Sequence, residues 1–331
     1  MTKHTQSRIS MGAGTAVSAD IYYMSCSLDD PAIDEPCSRL FFYQDQTKEK
    51  WFYHDQPGWR VVSTCLLPEH GTTPRSVVAL SEEGGIEVYN RNGSHVEKIV
   101  DAGLSDSSKG YGYLNRVRLI GGALFACGYG GQLYKRGRTG WRHVDQGLLR
   151  KPSLPMPADR SKIEEWMKNE AEVIDVLDVN GVSQTDIYAV GDHGFIAHYD
   201  GSTWVSLRPK TQSCLYSLYI ESANDVWIAG SQGTLLKGNA QSGFQAVLRK
   251  STEADFYAMT KFNDEVYIGA SDGLYKLLRG DVIATEPTLK MKMTEVADVE
   301  AKEGVLWALA SKHLLRFDGK KWDIFEHIDN T

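Results

Sequence analysis

The sequence predicts an all-β chain folded as a seven-bladed β-propeller. Three observations carry that expectation. A segment of about forty residues recurs along the chain, its apolar runs are nearly continuous rather than helically spaced, and Gly or Asp-Gly turns stand at fixed places between them.

The repeat is clearest from residue 186 onward. Asp186-Ile187-Tyr188-Ala189-Val190-Gly191 is followed by Gly194-Phe195-Ile196-Ala197-His198-Tyr199, then by Asp200-Gly201-Ser202-Thr203-Trp204. Asp225-Val226-Trp227-Ile228-Ala229-Gly230, Glu265-Val266-Tyr267-Ile268-Gly269-Ala270 and Val305-Leu306-Trp307-Ala308-Leu309-Ala310 repeat its first part. Earlier copies centre on Val77-Val78-Ala79-Leu80-Ser81 and Leu124-Phe125-Ala126-Cys127-Gly128, and a degenerate first copy on Leu40-Phe41-Phe42-Tyr43-Gln44. The small residues Ser81, Gly128, Gly191, Gly230, Ala270 and Ala310 set the register, with gaps of 47, 63, 39, 40 and 40 residues. With Gln44 standing for the first copy there are seven units, one four-stranded blade each.

Within a unit, the innermost strand is read from apolar residues at a shared spacing. These are Leu114, Val117 and Leu119; Ile174, Leu177 and Val179; and Leu215, Leu218 and Ile220. The second strand is the Val-Trp-Ile-Ala-Gly type, buried on both faces by neighbouring blades. The third is the Gly-Thr-Leu-Leu-Lys type, and the fourth begins near Trp141, Trp204, Phe244 or Trp322. Asp200-Gly201 and Asp318-Gly319 are hairpin signals between strands three and four. The 63-residue gap contains an excess at residues 148–171, where three prolines precede Ser161-Lys162-Ile163-Glu164, a capping box that opens a short helix. The expectation is one propeller domain over residues 1–331 with a loop-helix insertion between blades 3 and 4.

The Asp-Val-Trp-Ile-Ala-Gly and Gly-Thr-Leu-Leu units, with Tyr-Asp-Gly ahead of Thr-Trp, resemble the photosystem II assembly-factor propellers and the BNR or Asp-box propellers of the sialidase superfold. The likeness covers roughly residues 70–325 and lies at the level of the fold. The Asp-box is departed from: Tyr199-Asp200-Gly201-Ser202-Thr203-Trp204 lacks one spacer, so the resemblance implies no sialidase chemistry. What the assembly-factor resemblance implies is a chaperone or assembly role.

Composition narrows the function classes. The chain has 331 residues, 42% hydrophobic and 24% charged, with 43 acidic against 36 basic side chains and a formal charge of −7. That is the profile of a soluble globular protein, and it argues against a dedicated nucleic-acid binder. Residues 1–10 hold no apolar signal-type core, and no run approaches the ~18 apolar residues of a membrane helix, so a cytoplasmic location is expected. Cys26, Cys37, Cys65, Cys127 and Cys214 are odd in number and without a CxxC pair, and are read as small buried hydrophobes. Cys26 and Cys37 flank an acidic loop, and whether they pair is left open.

No hydrolase, zincin or nucleotide-loop motif is present, and no metal or cofactor is expected. Gly128-Tyr129-Gly130-Gly131 leads into a strand and is read as a tight turn. The basic hairpin Lys135–Arg142 and the acidic segment Asp29–Pro36 are read as solvated loops. The innermost strands supply Asn115, Arg116, Asp175, Tyr216, Tyr257 and Asp298 to the central channel, where propeller enzymes place catalytic groups. The leading expectation is instead a non-catalytic scaffold that binds a protein partner, as an inhibitor or immunity protein neutralising a toxin or as an assembly chaperone. Strand-four to strand-one and strand-two to strand-three connections share one face, and both long insertions, residues 103–113 and 148–171, fall there. Tyr111, Tyr113, Tyr129 and Trp166, with Lys168 and His193, are the candidate contact residues. A hydrolase or lyase at the channel mouth and a carbohydrate-binding propeller are the alternatives. The oligomeric state is not legible.

Overall fold

The structure, a computed structural model, describes residues 7–29, 35–150, 156–171, 173–208, 211–250, 252–285 and 294–330. Seven four-stranded antiparallel sheets follow one another along the chain, each pairing its strands in chain order. Their innermost strands, blades 1 to 7 in turn, are Ile9–Ala16, Val61–Leu67, Leu114–Ile120, Val176–Ser183, Leu215–Ile220, Phe256–Phe262 and Val296–Lys302. Each lies beside that of the next blade, and blade 7 returns to blade 1. Among the described residues no blade borrows a strand from another, so blade 7 meets blade 1 through side-chain packing and individual polar contacts such as the Met11 amide on the Ser311 carbonyl at 2.8 Å.

The burial pattern explains why these segments are strands. Second strands such as Ser76–Ser81, Asp186–Gly191 and Val226–Gly230 are buried almost throughout, because a blade meets a neighbour on both faces. The outermost strands meet solvent; Gly93–Lys98 is exposed at nearly every position. The apolar clusters form between blades: Val190, Ile196, Leu215 and Ile228 join blades 4 and 5, and Trp307, Leu309, Tyr22 and Phe41 join blades 7 and 1.

Every innermost strand carries a bulge at the same place. The pairing skips Gly12, Val62, Asn115, Leu177, Tyr216, Tyr257 and Ala297 in blades 1 to 7. A bulge bends the strand and re-aims side chains. It also corrects the expected register of blade 4. Val176 is the counterpart of Leu215 and Val179 of Leu218, while Ile174 precedes the strand and Leu177 is the half-buried bulged residue.

The opening repeat departs from its expected register too. Gln44 ends the third strand, Cys37–Gln44, not the second. The counterpart of Ser81 is Cys26, which pairs with Met11 just before the bulge as Ser81 pairs with Val61. The insertion lies between blades 3 and 4, and its helix α1 spans Ile163–Ala171. The cap is Asp159 rather than Ser161: its carboxylate accepts the Ser161 amide at 3.0 Å and opens a 3-10 turn, Arg160–Lys162, that leads into the helix. All five cysteines are free, and Cys26 lies opposite Arg39 rather than Cys37.

Candidate functional site

The loop face is a ring of tied turns. In each blade the first residue of the strand-two to strand-three turn donates its amide to the carbonyl just ahead of that blade's innermost strand. Examples are Tyr129 to Tyr113 at 2.9 Å, Asp192 to Asp175 at 3.2 Å, Ser231 to Cys214 at 2.8 Å and Ser271 to Asp255 at 2.9 Å. Side chains return the bond: Asp192, Ser231 and Ser271 accept the amides of Asp175, Cys214 and Asp255 at 3.0 to 3.1 Å. Other bonds cross to the next blade, as from Gly194 to Ser213 at 2.9 Å and from Gly233 to Ala254 at 2.7 Å. Several acidic and hydroxyl side chains of this face are therefore occupied in holding backbone.

Over blades 3 and 4 these ties bring most of the aromatic candidates together. Tyr129 opens a one-turn 3-10 element in which Gly130 has φ 67°, and the Gly130 amide donates to Asp175 at 2.9 Å. A Cβ on Gly130 would stand 2.5 Å from the Tyr111 carbonyl, so that loop packs directly on the turn. Arg150, at the start of the insertion, donates its amide to the Gly130 carbonyl at 2.8 Å. Tyr111 meets His143 edge-on with ring centres 6.1 Å apart, and Tyr113 is half-buried. Tyr129 is 38% exposed. His193 tops the equivalent turn of blade 4 at φ 49° with its ring in solvent, 3.5 Å from Asp192. Burial lifts the Asp175 carboxyl above its ordinary range, with Asp192 adding to the lift and the Gly130 amide opposing it. The Tyr129 phenol is raised by burial and then by Asp175, Glu82 and Asp192. Trp166 is half-buried on α1 beside exposed Met167, while the Lys168 side chain lies outside the described residues.

The central channel forms a cavity of about 470 Å³ to which all seven innermost strands contribute. Arg116, Tyr257 and Asp298 line it. Tyr216 stands at the bulge level with its ring 5.6 Å from that of Tyr257, and Asn115 spends its amide on the Val176 carbonyl at 3.1 Å. Asp175 sits at the loop face, ahead of its strand. Sequence reasoning missed Arg118, Asp178 and Glu300. Arg118 forks onto Asp178 at 3.1 and 2.8 Å. Asp178 also accepts the Leu218 amide of blade 5 at 2.9 Å, and Glu300 the Ala16 amide of blade 1 at 2.7 Å. Innermost strands do not ladder with one another, so such side chains satisfy their edge amides. The alternation Arg116-Val117-Arg118 and Asp298-Val299-Glu300 is the signal that marks these positions.

Among the described residues no group of three or more His, Cys, Asp or Glu side chains is placed to hold a metal ion. No described helix is long and apolar enough to cross a membrane.

No family model matches the chain. It is similar to the immune protein Tsi7 of Pseudomonas aeruginosa, at 25% identity over 277 residues that cover 81% of this chain and 80% of that protein. Among solved structures it is similar to the WD40 β-propeller domain of Doa1, at TM-score 0.62 and 9% identity over 100% of this chain and 96% of that one. It is also similar to YCF48 bound to a D1 peptide, at TM-score 0.60 and 13% identity, covering 94% of both chains. These structural likenesses show the seven-bladed fold.

Proposed function

We propose that this chain is a non-catalytic binding scaffold of the immunity type, which neutralises a protein toxin in the cytoplasm by engaging it through the loop face over blades 3 and 4. The observation that carries the reading is the similarity to an immune protein along 81% of the chain. The geometry supports it. Tyr111, Tyr113, Tyr129 and His193 share a surface stiffened by backbone ties, and a rigid aromatic surface loses little freedom on binding. Trp166 belongs to the same proposal through its insertion, whose first residues pack on the Tyr129 turn.

The test begins with affinity purification of the tagged chain from its native host and identification of a stoichiometric partner. The purified partner is then titrated against the wild type and against Tyr129→Ala, His193→Ala and Trp166→Ala. Truncating a hot-spot aromatic such as Tyr129 is expected to weaken binding by about 2 kcal/mol or more while leaving the melting temperature nearly unchanged. If Trp166 instead caps the propeller, its truncation should destabilise the fold by about 3–5 kcal/mol. Absence of a stoichiometric partner, or partner affinity indifferent to all three changes, counts against the reading.

A further inference from the structure

The central channel holds charges that the loop face does not use. One wall, on blade 3, carries Arg116 and Arg118, and another, on blade 7, carries Asp298 and Glu300. In a ring of seven these two blades are as far apart as two blades can be. The cavity between them is about 470 Å³, and the Arg116 and Arg118 side chains keep 26% and 32% of their surface exposed, although Arg116 Nε itself is buried.

Neither wall is balanced within itself. On blade 3, two guanidiniums share a single carboxylate: Asp178 takes the Arg118 fork, and Arg116 Nε stands 3.6 Å from it without a hydrogen-bond partner. On blade 7, Asp298 and Glu300 repel one another, and among the described residues neither has a cation within 4.0 Å. Among the described residues Asp298 accepts hydrogen bonds from the Tyr22 hydroxyl at 3.3 Å and the Val299 amide at 3.0 Å, with Arg116 and Arg118 as its more distant charge partners. On blade 2, the Thr64 side chain is more than nine-tenths buried, lines the same cavity, and its hydroxyl has no partner. A buried hydroxyl and a buried guanidinium nitrogen left unmet are costly. A purely structural role explains Asp178 and Glu300, which hold strand edges. It leaves Arg116 Nε and the Thr64 hydroxyl without partners, and Asp298 facing the Arg116 and Arg118 charges across the channel rather than in contact.

We propose that the channel binds a small zwitterion of the α-amino-acid class. Its carboxylate accepts from Arg116 and from the Thr64 hydroxyl. Its ammonium donates to Asp298 and Glu300. A simple anion would satisfy the first wall and leave the second unpaired, and a simple cation the reverse. Lys302 also lines the cavity, on the same strand beyond Glu300, and confines the anionic patch to the two carboxylates.

Isothermal titration calorimetry of the full chain against each of the twenty standard amino acids tests this. At least one is expected to bind. Its carboxamide, which lacks the carboxylate, and its N-acetyl form, which lacks the ammonium, are each expected to bind at least about tenfold more weakly. Arg116→Met and Asp298→Asn are expected to show the same loss, with folding checked by circular dichroism. The two ligand derivatives carry the test without any mutation, should a variant fail to fold. No binding by any amino acid, or equal binding by the single-charge derivatives, would overturn the proposal.

Discussion

Gly191 and Gly230 end buried second strands at places that have no room for a side chain. A Cβ on Gly191 would lie 1.9 Å from the Asp175 carbonyl oxygen, and one on Gly230 would lie 2.3 Å from that of Cys214. Both carbonyls accept the amide of the first turn residue, so they cannot withdraw without breaking a loop-face tie. The obstacle is close approach, since the Gly191 backbone is ordinary extended chain at φ −167°. Blades 2, 6 and 7 carry Ser81, Ala270 and Ala310 at the same register, where the turns differ. Gly191→Val and Gly230→Val are therefore expected to destabilise by about 1–3 kcal/mol each or more, Gly191 the more strongly. Urea midpoints of the two variants check this. An unchanged midpoint for Gly191→Val would mean that the turn of blade 4 yields freely.

The element that decides this fold is the seam between innermost strands, where side chains rather than a ladder meet the edge amides. Ser63 accepts the Val117 amide at 3.1 Å, Asp178 that of Leu218 and Glu300 that of Ala16, while the Val61 amide at the head of blade 2 goes to Ser38 on the third strand of blade 1 at 2.9 Å. Glu300 makes its seam sensitive to pH. Burial first, and Asp298 second, push its carboxyl up to about 7 from the ordinary 4.5. The folded chain thus keeps a proton that the unfolded chain has lost between those values. Its contribution is full below pH 4.5 and falls as pH rises toward about 7. Glu300→Gln keeps an oxygen for the Ala16 amide and removes the titration. The difference in unfolding free energy between wild type and variant is expected to change across that window by no more than about 3 kcal/mol, the wild type losing ground as pH rises. Urea unfolding at a series of pH values reads the slope directly, and parallel profiles would remove Glu300 as a titrating seam group.

At the same scale, the repeat is legible where blades follow the Val-Trp-Ile-Ala-Gly pattern, and blades 4 to 7 read almost directly. Blade 1 is not, because its second and third strands are longer and Cys26 replaces the small residue that marks the register. The bulges are also hidden, since a one-residue shift leaves composition unchanged while moving Leu177 off the core face. Of the candidate site, the shared loop face follows from topology. Asp298 is legible as a channel residue, but Asp178 and Glu300 are not, because they differ from Ser63, which does the same task in blade 2.

For the whole molecule, the question is how a ring closes when no strand is exchanged between its ends. Blades 1 and 7 are each contiguous in sequence, so the seam between them must match the others by packing. Trp307 is fully buried there, with its ring centre 5.3 Å from Tyr22, 6.2 Å from Tyr43 and 6.1 Å from Phe325. Its indole donates to the Ser18 carbonyl at 3.1 Å, and Arg316 reaches Asp20 and Asp45 of blade 1 at 3.3 and 3.0 Å. Beyond the last strand, His327 packs on Phe41 and Trp51, and Asn330 accepts the Ile9 amide at 3.1 Å. Opening this seam would expose two blade faces at once and leave every other blade in an open arc. Trp307→Ala is expected to cost about 3–5 kcal/mol, the range for removing a fully buried tryptophan. It should do so as a single shifted transition in urea, with circular dichroism and tryptophan fluorescence coincident, because closure and blade packing are one cooperative event. A loss below about 1 kcal/mol, or two separated transitions, would show that blades 7 and 1 dock as an independent clasp on a ring that is stable without it.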